Sequence, residues 1–146
     1  MYKNYDKTRF MFNEDRKIVW EEIAIYLQRY IPINSVLLDI GSGYCDFINS
    51  IKANAKYALD KYIDPNLYAL HDIIKIFGDY SELNKRIDNN SLDVVFASNF
   101  FEHLEEDDLE KYIEIIYKKL KEKGILIIIQ PNYRLCYKNY FDDYTH

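Results

Sequence analysis

Short apolar runs alternate with amphipathic stretches along most of this chain. Each run is nearly continuous in apolar residues and is followed by a glycine, a proline or a polar residue, which is typical of strands buried on both faces. The five runs that predict strands are 35–40, 56–60, 73–77, 93–98 and 125–130. Strands of this kind, separated by helices, predict a doubly wound α/β fold with a mostly parallel sheet.

Residues with helical spacing lie between these strands. Val19, Ile23, Tyr26 and Tyr30 recur at intervals of three and four, which predicts an N-terminal helix that packs through this stripe. The clearest helix follows the fourth strand, with an acidic N-terminal end, a lysine-rich C-terminal end and a predicted stop at Gly124. Both charged ends match the helix dipole. Its apolar stripe consists of Leu109, Tyr112, Ile113, Ile116 and Leu120.

Two shorter helices complete the predicted secondary structure. One covers 46–52 after the first strand, and the other covers 81–87 with Ser81 as its N-cap. We predict a single domain with an N-terminal helical segment at 1–34, a ligand-binding core at 35–132 and a tail at 133–146.

The composition narrows the class of protein. The chain has 146 residues, is 49% hydrophobic and has a net charge of −5, so it can bury a core and lacks the basic excess of most nucleic-acid-binding proteins. Its two cysteines, Cys45 and Cys136, form neither a disulfide framework nor a zinc pattern. No secretory signal or membrane-length apolar run is visible. We predict a cytoplasmic protein without a resident metal or a membrane partner.

Acidic residues and glycines cluster where the predicted strands end. Gly41 and Gly43 follow the first strand, where they allow a sharp turn and a close approach of the backbone to a ligand. Asp60 ends the second strand, about twenty residues further on, where a carboxylate can bind a ribose diol. Gly78 and Asp79 end the third strand, where a carboxylate or an amide can meet an adenine edge.

The glycine loop differs from that of a dinucleotide-binding enzyme. The third glycine of G-x-G-x-x-G is replaced by Asp46, whose carboxylate would repel a pyrophosphate. This opposes a nicotinamide dehydrogenase and favours an adenosine ligand without phosphates.

Four segments together resemble the class I S-adenosylmethionine-dependent methyltransferases, over about 35–132. The glycine loop is similar to their D-x-G-x-G-x-G motif, with Cys45 in place of the third glycine. Asp60 and Asp79 follow at the expected spacing. Segments 93–104 and 120–132 are similar to the family's fourth-strand and fifth-strand segments, the latter with its following proline.

The resemblance implies S-adenosyl-L-methionine as the cofactor and assigns roles along it. Asp39 would orient the amino group, the glycine loop would wrap the methionine part, and Asp60 would hold the ribose. Lys61, Asp79 and Tyr80 would frame the adenine, while the segment after the fourth strand would pass the sulfur. The implied cofactor-binding residues are Asp39, Gly41, Ser42, Gly43, Asp60, Lys61, Gly78, Asp79, Tyr80, Ser98, Asn99 and Phe100.

His103 is the candidate catalytic residue, because it lies just beyond the fourth strand, where acceptor and methyl group should meet. Its position in the sequence fits equally well a histidine that only packs at a helix terminus. Arg9 and Arg16 are surface residues by default, although either could reach the cofactor carboxylate. By position alone, the candidate acceptor-side residues are Phe101, Asn132, Tyr133 and Arg134.

The favoured function is methyl transfer to a small-molecule acceptor. DNA is disfavoured because residues 98–101 lack the Asn/Asp-Pro-Pro-aromatic run of the amino-methylating DNA enzymes. The chain is short for this family, so a cofactor-binding or interaction module without activity is the alternative. The apolar run from Ile125 to Ile129 predicts an edge strand that needs a partner. We favour pairing with a second copy of the chain as a homodimer; the alternative is a monomer in which the tail at 133–146 covers the edge.

Overall fold

The computed structural model of the chain describes residues 14–132 and residue 134. Helices and strands alternate as the sequence predicts, with two short 3-10 helices at Pro65–Leu67 and Phe101–His103. The α-helices are α1 (Glu14–Leu27), α2 (Asp46–Ser50), α3 (Tyr80–Arg86) and α4 (Glu106–Lys119). The strands are β1 (Val36–Ile40), β2 (Ala55–Asp60), β3 (Ile74–Phe77), β4 (Leu92–Ser98) and β5 (Leu120–Ile129).

The five strands form one parallel sheet in the order β3-β2-β1-β4-β5. The chain moves outward from β1 to β3, then returns to the other side of β1 to add β4 and β5. Strand order therefore reverses between β1 and β4, and in an open parallel sheet the crevice at that point, beyond the carboxyl ends of the strands, is the usual place for a ligand.

Each face of the sheet has its own hydrophobic core. Ala24 and Leu27 of α1 and Phe47 and Ile48 of α2 pack on one face, and the ring of Phe47 lies 3.8 Å from that of Phe96 on β4. The opposite core forms against α3 and α4 and contains Leu83, Tyr112 and Ile116 among its buried residues. Helices on both faces confirm the doubly wound fold.

The predicted packing stripe of the N-terminal helix is only partly right, because Ile23 is the one member of its four that packs against the core. Val19, Tyr26 and Tyr30 are at least half exposed, whereas Ala24 and Leu27 are buried. A second stripe runs through Trp20, Ala24 and Leu27 of this helix, is continued by Ile31 beyond its end, and meets the sheet. The tyrosines keep their hydroxyl groups in water, and the small Ala24 lets the helix approach the sheet closely.

The end of the long helix also differs from the prediction. α4 ends at Lys119, and β5 begins at Leu120, before Gly124. The residue with a positive φ is Lys123, at 67°, while a Cβ on Gly124 would lie 3.1 Å from the carbonyl oxygen of Leu92. Gly124 therefore permits close strand packing, and the register between β4 and β5 shifts at this point.

Candidate functional site

The glycine loop follows the carboxyl end of β1 and turns through left-handed backbone conformations. Gly41 and Gly43 have φ values of 69° and 52°, and Cys45, at 62°, has the same left-handed conformation without being glycine. The amides of Gly41 and Ser42 donate to the Leu59 carbonyl at 2.9 and 3.1 Å. These two bonds hold the loop against the end of β2.

Asp60 fastens the loop from the second strand. One carboxylate oxygen accepts from the Gly43 amide at 2.9 Å, and the other accepts from Tyr62 and Ile63 at 2.8 and 2.9 Å. Two of these bonds are local turn bonds to the residues that follow Asp60. They leave part of the acceptor capacity of a carboxylate, about four lone pairs, for a ribose hydroxyl.

Asp39 lies beneath this loop on β1 and is only 3% exposed. Burial raises the pKa of its carboxyl well above the usual range, and the nearby Asp60 carboxylate raises it further. Desolvation and a like charge both disfavour the ionised form. A cationic group beside these two acids would relieve both effects, as the resemblance expects of the cofactor's amino group.

The predicted adenine-side residues lie around β3. Lys61 and Asp79 form an ion pair at 3.6 Å. Asp79, rather than the predicted Ser81, is the N-cap of α3, because its carboxylate accepts from the Ser81 amide at 3.0 Å and the Ser81 hydroxyl at 2.8 Å. These hydrogen bonds, with the charge of Lys61, lower the pKa of Asp79.

Gly78 and Tyr80 flank this cap. A Cβ on Gly78, which has a φ of 151°, would lie 2.6 Å from Cγ of Glu82, so the position needs glycine. The ring of Tyr80 meets that of Tyr112 edge to face at 5.4 Å, and the Lys111 ammonium lies 5.4 Å from its centre. Tyr80 thus packs against α4 while remaining at the edge of the site.

Phe100 joins the fourth-strand segment to the glycine loop. A Cβ on Gly41 would lie 2.6 Å from Cδ2 of Phe100, so this ring rests directly on the glycine. It also meets the rings of Phe101 and Tyr112 edge to face. The preceding residue, Asn99, has a φ of 47°, and its amide donates to the Ile129 carbonyl at 2.9 Å.

The turn after β4 contains polar groups that the sequence did not single out. The Ser98 hydroxyl oxygen and Oε1 of Glu102 are both buried without a hydrogen-bond partner. The other Glu102 oxygen accepts from Nε2 of Gln130 at 3.4 Å. His103 follows Glu102 in the same 3-10 helix and is half-buried. The only sequence observation that indicated Glu102 was its position next to His103.

The remaining candidates occupy varied places. Phe101, proposed as acceptor-side, is 7% exposed and belongs to the core on the α4 face, which leaves little of its surface for an acceptor. Arg16 forms an ion pair with Asp46 at 3.3 Å and lies 5.6 Å from the centre of the Tyr44 ring. Asn132 and Arg134 are exposed beyond β5. Arg9 and Tyr133 lie outside the described residues.

These residues fit an adenosine cofactor bearing a cationic methionine group. Gly41 and Gly43 form a tight backbone turn, and Asp39 and Asp60 carry carboxyl groups beside it. Ser98, whose enclosed hydroxyl has no partner in the described part of the chain, ends β4 at the same edge of the sheet. Among the described residues there is no group of three or more side chains able to hold a metal ion. The described helices are all too short or too polar to cross a membrane.

Known structures share this architecture. The chain is 27% identical to an S-adenosylmethionine-dependent methyltransferase from Archaeoglobus fulgidus, with a TM-score of 0.68 over 87% of this chain and 61% of that one. The PH0226 protein of Pyrococcus horikoshii matches 97% of this chain and 70% of its own, at 15% identity and a TM-score of 0.69. The chain thus spans about three fifths of the Archaeoglobus protein.

A third match is phosphoethanolamine N-methyltransferase 1 of Haemonchus contortus, solved with phosphoethanolamine and S-adenosylhomocysteine. It is 15% identical, with a TM-score of 0.56 over 82% of this chain and 33% of that one. Identities this low show a common fold alone. No curated protein matches the chain.

Fold and site together define a Rossmann-like methyltransferase core. The model of a methyltransferase-domain family matches residues 38–128, which is more than half of the chain. The chain belongs to this family of class I S-adenosylmethionine-dependent methyltransferases. Membership implies S-adenosylmethionine as its cofactor.

Proposed function

We propose that this chain transfers the methyl group of S-adenosylmethionine to a small-molecule acceptor. The observation that supports this most is the convergence of the glycine loop, the Asp39–Asp60 carboxyl pair and the Ser98 hydroxyl at one edge of the sheet. Amino-end carboxylates of the same sheet, such as Asp93, have cationic partners instead. The alternative remains a cofactor-binding module without activity.

The bound cofactor supplies a sulfonium methyl group that is already electrophilic, so the chain's own residues mainly bind and orient. Gly41 and Gly43 bring the backbone close to the methionine part. Asp39 and Asp60 present negative charge to the amino group and hydrogen-bond acceptors to the ribose. In-line positioning of an acceptor then accounts for most of the rate enhancement that such a site provides.

Calorimetric titration with S-adenosylhomocysteine and with NAD tests the cofactor assignment. We expect saturable binding of the first and none of the second, because Asp46 opposes a pyrophosphate. Asp60→Ala should lose about 1.5–3 kcal/mol of binding free energy for each charge-assisted hydrogen bond to the ribose. Wild-type affinity in this variant would contradict the role of Asp60.

Asp64→Ala is the matched control for the Asp60 variant. Asp64 also accepts a backbone amide in its own turn, that of Asn66 at 2.9 Å, but it lies outside the proposed site. Because Asp60 also holds the Gly43 amide, thermal unfolding of both variants separates a collapsed loop from a lost ligand contact. Equal losses of affinity in the two variants would indicate a general loosening of the turns.

We propose His103 as the residue that handles the acceptor proton, if the acceptor must lose one during transfer. Its place in the 3-10 helix after β4 supports this role. His103→Ala should reduce turnover while leaving the thermal midpoint nearly unchanged. Early unfolding with full specific activity would identify a packing role instead. Activity of any kind would also exclude the alternative of an inactive module.

We further propose that a second copy of the chain pairs with the β5 edge. None of the residues of β5 is buried, and a cavity of about 420 Å³ lined by Ile23, Tyr26 and Ile127 among others separates it from α1. A two-fold axis would align two β5 strands antiparallel. This arrangement pairs the open backbone groups of the two edges.

Sedimentation equilibrium at micromolar concentration tests this pairing. We expect a dimer that Ile128→Lys converts to a monomer, since Ile128 is 45% exposed on the edge strand. Ile113→Lys is the control, because Ile113 is similarly exposed, at 42%, on α4. A monomeric wild-type chain would contradict the homodimer. A cytoplasmic location remains a prediction from the sequence.

A further inference from the structure

Glu102 is half-buried, and the hydrogen bonds of its carboxylate are incomplete. Oε1 has no partner, and Oε2 has only the 3.4 Å contact with Gln130, which is long for a charge-assisted hydrogen bond. Buried polar groups in folded proteins are nearly always paired, so an exception calls for an explanation such as a ligand. We therefore expect a ligand to supply the missing hydrogen bonds of Glu102.

The carboxylates that stabilise this fold are different. Asp60 accepts three backbone amides, and Asp93 accepts from Lys121 and the Val36 amide. Glu102 accepts no backbone amide and forms no ion pair within the described residues. A purely structural role for Glu102 would leave this lack of partners unexplained.

The position of Glu102 separates it from the adenosine side of the site. Residues on β2 and β3 carry the proposed ribose and adenine contacts, on one side of the point where strand order reverses. Glu102 lies on the other side, between the end of β4 and Gln130, which follows β5. The unpartnered Ser98 hydroxyl belongs to the same corner of the sheet. This corner lies apart from the residues that carry the proposed adenosine contacts.

The charges at this end of the sheet favour a cationic acceptor. Lys61 is paired with Asp79, and Arg16 is paired with Asp46. Within residues 14–132, no ion pair joins a lysine or arginine to Asp39, Asp60 or Glu102. An anionic acceptor would have to approach these carboxyl groups without compensation, whereas an ammonium group would complete the hydrogen bonds of Glu102.

We propose that Glu102 is a specificity-determining residue that binds a cationic amino group of the methyl acceptor. This inference rests on the proposed methyltransferase function and adds the chemical class of its substrate. Binding involves no bond change at Glu102.

Nuclear magnetic resonance of the ¹⁵N-labelled chain, saturated with S-adenosylhomocysteine, tests this with three probes of similar shape. Benzylamine is cationic at neutral pH, benzyl alcohol is neutral and benzoate is anionic. We expect benzylamine to shift the backbone amides of Ser98 and Glu102 saturably, and the other two probes to have little effect. Glu102→Gln should weaken benzylamine binding about tenfold, the loss of one charge-assisted hydrogen bond. Glu105→Gln, at an exposed neighbouring site, should not.

Thermal unfolding without a ligand supplies an independent readout. Because Glu102→Gln removes a half-buried charge whose enclosed Oε1 has no partner, we expect its midpoint to equal or exceed that of the wild type. A lower midpoint would identify a structural carboxylate and overturn the proposal. Equal binding of benzylamine and benzyl alcohol, no saturable binding of benzylamine, or unchanged benzylamine binding in Glu102→Gln would overturn it as well.

The titration with S-adenosylhomocysteine alone separates the two levels of inference. If the chain does not bind it, the methyltransferase proposal fails, and the role of Glu102 fails with it. If the chain binds it but shows no preference for the amine, only the role of Glu102 fails.

Discussion

The two ends of the sheet carry the same kinds of charged residue but use them differently. At the amino end, Asp93 accepts two hydrogen bonds from Lys121, at 2.8 and 2.9 Å, and one from the Val36 amide at 2.8 Å. Nearby, the buried Lys119 ammonium donates to the Asn84 carbonyl and the Asn89 side chain. These partners link helices and strands, so the charges there stabilise the fold.

At the carboxyl end, Asp39 lies near Asp60 and Glu102 lacks a partner for one oxygen. Burial opposes the ionisation of both Asp39 and Asp93, but only Asp93 has a cation whose hydrogen bonds and charge outweigh this effect and lower its pKa. Cation-paired carboxylates occur at both ends, since Asp79 and Asp46 are paired at the carboxyl end. The Asp39–Asp60 pair and Glu102, which have no cationic partner within the described residues, lie at the carboxyl end, and this is the end that should receive a ligand.

The largest expected effect is that of Gly41→Ala, which disrupts the glycine loop at the carboxyl end of the sheet. The new Cβ would lie 2.6 Å from Cδ2 of Phe100, in a residue held at a φ of 69°. Overpacking and the left-handed conformation should together cost about 2–4 kcal/mol of unfolding free energy. Urea unfolding measures this loss. Adding Phe100→Ala should recover the overpacking part, and a fully additive double variant would contradict the contact.

Asp93→Asn should lower stability at neutral pH by about 1.5 kcal/mol, since it weakens a hydrogen-bonded ion pair that is partly exposed. Because the pKa of Asp93 is lowered in the folded state, its contribution is present above the ordinary Asp pKa and is lost as the pH falls through the folded-state value. The difference between wild type and variant should therefore shrink in acid. A constant difference down to about pH 2 would count against this ion pair.

Asp39→Asn, the same substitution at the other end, should change stability in the opposite direction, by about 1 kcal/mol. A raised pKa means that the contribution of Asp39 is fully present below about pH 4 and is lost as the pH rises toward the folded-state value. The variant should thus exceed the wild type in thermal midpoint above neutral pH and bind S-adenosylhomocysteine more weakly. A less stable variant at pH 8 would show that the Asp39 charge is compensated.

The elements that were predictable from sequence are those whose signals are local. β1 and β4 lie within one residue of the predicted bounds, because their apolar runs are continuous and polar residues or glycines follow them. The packing face of α1 was not predictable in this way, since two stripes overlap on that helix. Only the sheet that it meets distinguishes Ala24 from Tyr26.

The candidate site likewise contains residues that were predictable from the sequence and residues that were not. Asp39, Gly41, Gly43 and Asp60 were found from their spacing, and the structure brings them together at one edge. The contact of Phe100 with Gly41 and the isolation of Glu102 depend on how separate segments pack, which no local pattern records. Lys123 shows the same limit for the backbone, because a left-handed residue that is not glycine leaves no signal in the sequence.

The smallest effects that we expect come from relieving backbone strain at one residue near each end of the sheet. Cys45, in the glycine loop, and Lys123, beside the amino end, have φ values of 62° and 67°. Glycine at either position relieves the left-handed conformation, whereas alanine retains it. Because Lys123 is exposed, Lys123→Gly should stabilise the chain by about 0.5–1 kcal/mol over Lys123→Ala.

Cys45 differs from Lys123 because it carries a buried thiol. Cys45 is fully buried, and burial raises the pKa of its thiol to about 12, so the side chain stays neutral and acts as a small apolar group. Cys45→Gly therefore loses packing while it relieves strain, and should leave unfolding free energy within about 1 kcal/mol of wild type. Cys45→Ala keeps the strain and loses the sulfur contacts, so we expect it to be less stable than the glycine variant although alanine is the larger residue. The reverse order in urea unfolding would mean that packing outweighs backbone strain at this loop. The resemblance to a third loop glycine would then have no conformational basis at Cys45.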